Sequence, residues 1–201
     1  MSNHLSIAAV TASLRDVLSA VANDPLPVAA AYSLADTQIS LLPPDRAGQN
    51  GGRNEINLFL YQTQHNAALR NLEVRTQPGE LRPPPVALNL LYLVTVHPRN
   101  DDELLGHLLL GRAVALLHEH ACLPRDRIAQ ALPLNDLHEQ TERVRLFPLS
   151  LSTEELFRIW SSFGAKYRLS MAYQAEVVLI DSAKPKQFVP ITQRTIRVVQ
   201  P

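Results

Sequence analysis

Cysteine, glycine and net charge are all scarce in this sequence. A single cysteine, Cys122, stands among 201 residues, which excludes an intrachain disulfide framework and fits a reducing compartment. The 19 Lys and Arg residues balance the 19 Asp and Glu residues. No basic field of the kind that gathers phosphates exists, so nucleic acid is not expected as a partner. No apolar run reaches the roughly 20 residues that a membrane-spanning helix needs. The opening segment MSNHLSIAAVTASLRDVLSAVAND lacks a basic n-region, and Arg15 and Asp16 interrupt it, so it reads as an amphipathic helix rather than a signal peptide. Seven glycines against fifteen prolines point to rigid connections.

Catalytic signatures are missing too. There is no GxSxG, no phosphate-binding glycine loop, no dinucleotide fingerprint and no HExxH. His107, His118 and His120 sit on or at the end of one predicted helix, but His107 and His118 are about 16 Å apart along its axis and cannot share a metal. His118, His120 and Cys122 together define the one enzymatic alternative, a small Cys/His or metal-dependent hydrolase. Sequence adjacency supplies neither the orienting group nor the oxyanion hole that such a nucleophile needs. The acidic pairs Asp101-Asp102 and Glu154-Glu155 open predicted helices, where the macrodipole favours them. No enzyme, metal or cofactor is expected.

What is present is strand and helix periodicity. Tyr167, Leu169, Met171, Tyr173, Ala175, Val177 and Leu179 are apolar at two-residue spacing, predicting one long strand over Tyr167 to Asp181 that either bends through a bulge or projects towards another subunit. INLFLYQTQ (Ile56 to Gln64) and VALNLLYLVTVH (Val86 to His97) are apolar on both faces and predict interior strands. A shorter strand is expected around Gln38 to Leu41 and another around Arg143 to Phe147. Ile7, Val10, Leu14, Val17, Leu18 and Val21 form the buried stripe of a first helix, about Ser6 to Val21. DDELLGHLLLGRAVALLHEH predicts the main helix, capped by Asn100 or Asp101, with Gly106 and Gly111 weakening it or admitting a close neighbour. Ser152 or Thr153 caps a third helix carrying Leu156, Phe157, Ile159 and Trp160. PPDRAGQNGGRN reads as a surface loop, and the stretch containing Pro124 and Pro133 as an irregular connection.

This order predicts an α+β fold, a mixed or antiparallel sheet with helices packed mainly on one face. One domain is expected over 1–182, followed by a C-terminal extension, 183–201, acting as an edge strand or an inter-subunit arm. Two segments stand out as contact surfaces. Leu72 to Pro85 ends in Arg82, Pro83, Pro84 and Pro85, whose prolines hold an extended geometry and cannot donate to a ladder. The extension carries Lys184, Pro185 and Lys186, then strand-like content in Phe188, Ile196 and Val198, suited to strand addition. A monomeric peptide-binding module using an exposed sheet edge is the second non-enzymatic alternative.

The succession NEINLFLYQTQHNAALRN, RPPPVALNLLYLVTVHPRNDDELLGHLLLGRAVALLHEH and ERVRLFPLSLSTEELFRIWSSFGAKYRLSMAYQAEVVLID resembles the domain in tail-cap proteins of extracellular contractile injection systems. These are phage-tail-like particles typified by the antifeeding prophage and the Photorhabdus virulence cassettes. NLFLYQ with NAALRN, RPPP before a long strand, the LLGRA helix, and YRLSMAY with VVLIDS carry the resemblance, over about residues 5 to 182. It implies a phage tail-terminator-like fold and a hexameric ring that caps the distal end of tube and sheath, stops polymerisation and couples the two. The implied partners are further copies of the chain and the inner tube and sheath proteins. The implied location is the cytoplasm during assembly, then a particle that is released. Members often carry a further C-terminal domain that these 201 residues lack, so the resemblance leaves open a principal cap or a shorter paralogue serving a neighbouring ring.

Overall fold

The computed structural model describes residues 3–23, 31–32, 34–49, 52–69, 75–77, 80–181 and 186–187. Five strands form the main sheet: β1 (Thr37–Ser40), β2 (Asn54–His65), β5 (Val86–His97), β6 (Arg145–Leu149) and β7 (Ser170–Ile180). Their order is β1-β2-β5-β7-β6. β1 runs parallel to β2 while every other neighbour is antiparallel, so the sheet is mixed. β5 is its centre, as its two apolar faces require. A second, small sheet is made of β3 (Arg75–Gln77), β4 (Glu80–Arg82) and β8 (Lys186–Gln187).

Two helices close over one face. Val10, Leu14, Val17 and Leu18 of α1 (Ser6–Ser19) and Leu105, Leu109 and Leu116 of α2 (Glu103–Glu119) pack against Ile56, Leu58, Leu90, Tyr92 and Val94. Each such side chain contributes about 1.5–3 kcal/mol when fully buried. α3 (Arg125–Ala131) lies against α1 through its one buried residue, Ile128. Among the described helices α4 (Thr153–Ser162) covers the opposite face, setting Trp160 over Leu93 and Ala172. The protein is therefore α+β with helices mainly on one side.

Several expectations shift in register. β7 starts at Ser170, and Tyr167 and Leu169 lie exposed before it. The surplus length bends. Leu88 pairs with Val178 and Leu90 with Ala175, so β7 carries an extra residue, and Val177 sits in the left-handed region at φ +63°. Val178 consequently follows the predicted Ala175 into the main core, where strict alternation predicted Val177 and Leu179. β2 bulges as well, at Tyr61. Both bulges flank β5 near residues 89–92, where they add twist.

The cap of α2 is Asp102, one residue beyond those predicted. Its carboxylate accepts the Leu105 N–H at 3.1 Å, because Asn100 and Asp101 are spent on a turn with φ of +59° and +51°. Ser152 caps α4 in a reciprocal box with Glu155. A Cβ at Gly106 would meet Pro98 at 3.4 Å, an ordinary van der Waals contact, and Gly111 faces open space, so neither glycine is called for by a close neighbour. β6 lies two residues later than expected, and the connection after Pro124 contains α3.

Candidate assembly surface

The predicted contact segments meet. Thr76 pairs with Leu81 across the β3–β4 hairpin, and Leu81 pairs in turn with Lys186. Part of the expected extended arm is thus a folded hairpin. The three prolines follow directly after β4, where their missing N–H groups end the ladder. Pro84 is exposed while Pro85 is buried. Lys184, Pro185, Phe188, Ile196 and Val198 lie outside the described residues, and for Arg82 and Lys186 the structure describes the backbone.

The main sheet anchors this end. The Asn66 N–H donates to the Ala87 carbonyl at 2.9 Å, and its side-chain amide donates to the Asn89 amide oxygen at 2.9 Å. The same side chain accepts the N–H groups of Ala68 and Leu69. The exit of β2 is therefore tied to the entry of β5. A cavity of about 490 Å³ lies between them, lined by His65, Asn66, Pro85 and Val86.

At the other end of the sheet sits a buried polar cluster that sequence reasoning did not single out. Glu55 is 1% exposed. Its carboxylate accepts from the Ser40 hydroxyl and, at 3.2 Å, from the Gly48 N–H, and the Asn57 amide donates to the Leu42 carbonyl at 2.9 Å. These bonds fold residues 41–49 over His97. Burial holds the His97 pKa below its ordinary value, with Glu55 pulling it up and Arg168 pushing it down. The signal was available in Glu55, Asn57, Thr95 and His97, polar residues at alternate positions of otherwise apolar strands.

The candidate hydrolase residues separate by role. The His120 ring nitrogen bonds the Leu116 carbonyl at 2.9 Å, within the last turn of α2. His118 is exposed on that turn, and Cys122 is exposed in a one-residue bridge to Arg145. Among the described residues, no group of three or more His, Cys, Asp or Glu is placed to hold a metal. No helix of the described residues is long and apolar enough to cross a membrane.

The open side of β6 bears on strand addition. The Leu146 N–H donates outward to Ala121 and the Val144 carbonyl accepts from Leu123. By alternation the next outward position is Pro148, which has no N–H. This edge is closed to a full backbone ladder.

The family model of the Pvc16 N-terminal domain matches residues 9–194. A sheath and tube terminator of an extracellular contractile injection system, PVC, in the extended state, aligns with a TM-score of 0.65 at 20% identity, covering 96% of this chain and 63% of that one. The tube-terminating cap of the anti-feeding prophage aligns with a TM-score of 0.58 at 21% identity, covering 82% of this chain and 55% of that one. At such identities the likeness is one of fold, and the chain spans less than two thirds of either structure. Among curated proteins none matches.

Proposed function

The chain belongs to the family of the Pvc16 N-terminal domain, which matches it over residues 9–194, and on that premise we propose that it is a structural subunit capping a contractile injection particle. It binds the last layers of inner tube and sheath at the end away from the baseplate, stops their growth and couples one to the other. Six copies form the ring, which assembles in the cytoplasm and leaves with the particle. No catalytic step is assigned. The observation that carries this reading is the family match, and the terminator-like fold along 96% of the chain supports it.

The contacts are proposed at the end that bears the small sheet. Arg82 with Pro83, Pro84 and Pro85 forms one part, and Lys184, Pro185, Lys186, Phe188, Ile196 and Val198 of the 183–201 extension form the other. Support comes from the β4–β8 pairing, which brings the start of the extension beside the proline run. Consecutive prolines lose little conformational freedom on binding, so a rigid contact forms at small entropic cost.

Light scattering of the purified chain, alone and mixed with tube and sheath subunits, tests the proposal. A multiple of the 22.3 kDa chain mass and a further rise on mixing are expected. A strict monomer that binds neither subunit refutes it.

A further inference from the structure

The loop over residues 41–49 lies across His97 and is lightly held. Its tip is a tight turn in which the Arg46 and Ala47 N–H groups donate to the Pro43 carbonyl at 2.9 and 3.1 Å. Two side chains of β2 tie it down. The Asn57 amide holds the Leu42 carbonyl, and the Glu55 carboxylate accepts the Gly48 N–H at 3.2 Å. Of the loop's residues only Pro44 and Ala47 are buried, so lifting it exposes little apolar surface and costs far less than unfolding.

Beneath the loop, His97 is badly placed to carry a charge. It is buried, and its Nε2 has the Thr95 hydroxyl at 3.3 Å, a long contact. Over Nδ1 lies Gly48, so close that a Cβ would stand 2.3 Å away. Two cavities of about 180 and 270 Å³ meet at His97 and Gly48. Their charged walls come from every neighbouring element. The loop supplies Asp45, the start of β2 Arg53 and Glu55, the turn after β5 Arg99 and Asp101, and the segment before β7 Lys166 and Arg168. Asp101 is engaged with Arg168 at 3.1 Å, and Glu55 with Ser40 and Gly48. Burial outweighs the carboxylates, and the imidazole pKa lies below its ordinary value.

We propose that residues 41–49 are a proton-released strap, which lifts when His97 takes up a proton and opens both cavities to water. Once lifted, the ring is hydrated and its pKa returns towards about 6.5. The lifted form therefore binds the proton more tightly than the closed form. Below about pH 6.5 the ratio of lifted to closed chains rises by up to about tenfold per pH unit, until the pKa of the closed form is reached. The inference stands on the fold and is independent of the capping role.

Trp160 is the chain's only tryptophan and lines the larger cavity with Pro44, Gly48 and His97, which makes it a native reporter. From pH 7.5 to 5.5 the emission of the full chain is expected to shift reversibly to the red with unchanged circular dichroism. Over the same range, protection of the Gly48 amide in hydrogen exchange, corrected for the intrinsic rate, is expected to fall by up to about tenfold. His97→Gln is expected to abolish both responses. Gly48→Ala, whose methyl group does not fit over the ring, is expected to show the shifted emission already at pH 7.5 and no further response. A folded wild type with neither response overturns the proposal, as does either variant, folded, with the wild-type response. The wild-type exchange pattern decides even if the variants fail to fold. Protection lost within 41–49 alone supports the strap, and protection lost across β2 and β5 as well overturns it.

Discussion

Val177 is the residue where local chemistry and fold disagree most. A β-branched side chain at φ +63° is held against a preference of roughly 1–3 kcal/mol, and the agent is Gln140. Its side-chain amide, 5% exposed as a residue, donates to the Val177 carbonyl and to the Glu142 carbonyl, both at 2.8 Å. Its amide oxygen accepts the Leu179 N–H at 3.4 Å. The bulge leaves the Val177 carbonyl to Gln140, which ties it to the Glu142 carbonyl and the Leu179 N–H. Gln140→Ala takes away the side-chain partner of the half-buried Val177 carbonyl and the buried Leu179 N–H, and a loss of about 1–3 kcal/mol in urea unfolding is expected. A change below about 0.5 kcal/mol would show that the bulge holds itself. None of this was legible in the sequence, since HEQTERVR marks no residue as buried and alternation carries no sign of a skipped register.

Elements were legible where one physical pattern dominated. β5 begins and ends at Val86 and His97 as predicted, because a proline bounds each end and both faces are apolar. α1 starts at Ser6 and buries Val10, Leu14, Val17 and Leu18 as its spacing required. α3 was hidden, with only seven residues and one buried side chain, too short for periodicity to register. The β3–β4 hairpin was hidden because the neighbouring prolines dominated the reading. The loop over His97 was legible as a loop but not as a cover. Gly48 explains its fit, for at φ +76° a Cβ would stand 2.3 Å from His97 Nδ1.

That cover has a pH consequence. Burial first, then Arg168, disfavours protonated His97, while Glu55 and Asp101 favour it, and the net direction is down. Between the lowered folded value and the unfolded value near 6.5, the unfolded chain binds a proton that the folded chain does not. Stability from this group is therefore complete above about pH 6.5 and falls as the pH drops below it. Melting temperatures of wild type and His97→Gln compared from pH 7.5 to 5.5 report it. The variant's curve is expected to be flatter, and parallel curves would exclude His97 as the source.

For the whole molecule, the family was legible from ordered segments, and the match over 9–194 bears that out. The proline run and the extension stood out in the sequence as two separate segments, with no sign that β4 and β8 would join them through a separate sheet. The turn at Leu134 could not be read at all, because it is braced from Asn3, 131 positions away in sequence. The division between core and extension is the property that a deletion can address. All main-sheet strands and helices α1 to α4 lie within residues 6–180, so removing 183–201 leaves the described hydrophobic core intact and takes away β8. The truncated chain is expected to keep its circular dichroism and cooperative melting, with a modest loss in melting temperature. Its binding to tube and sheath subunits is expected to fall at least tenfold, about 1.4 kcal/mol, as read by titration in light scattering. If folding fails, the extension is part of the core rather than an arm. If folding and binding both survive, the surface that meets tube and sheath lies within residues 1–182.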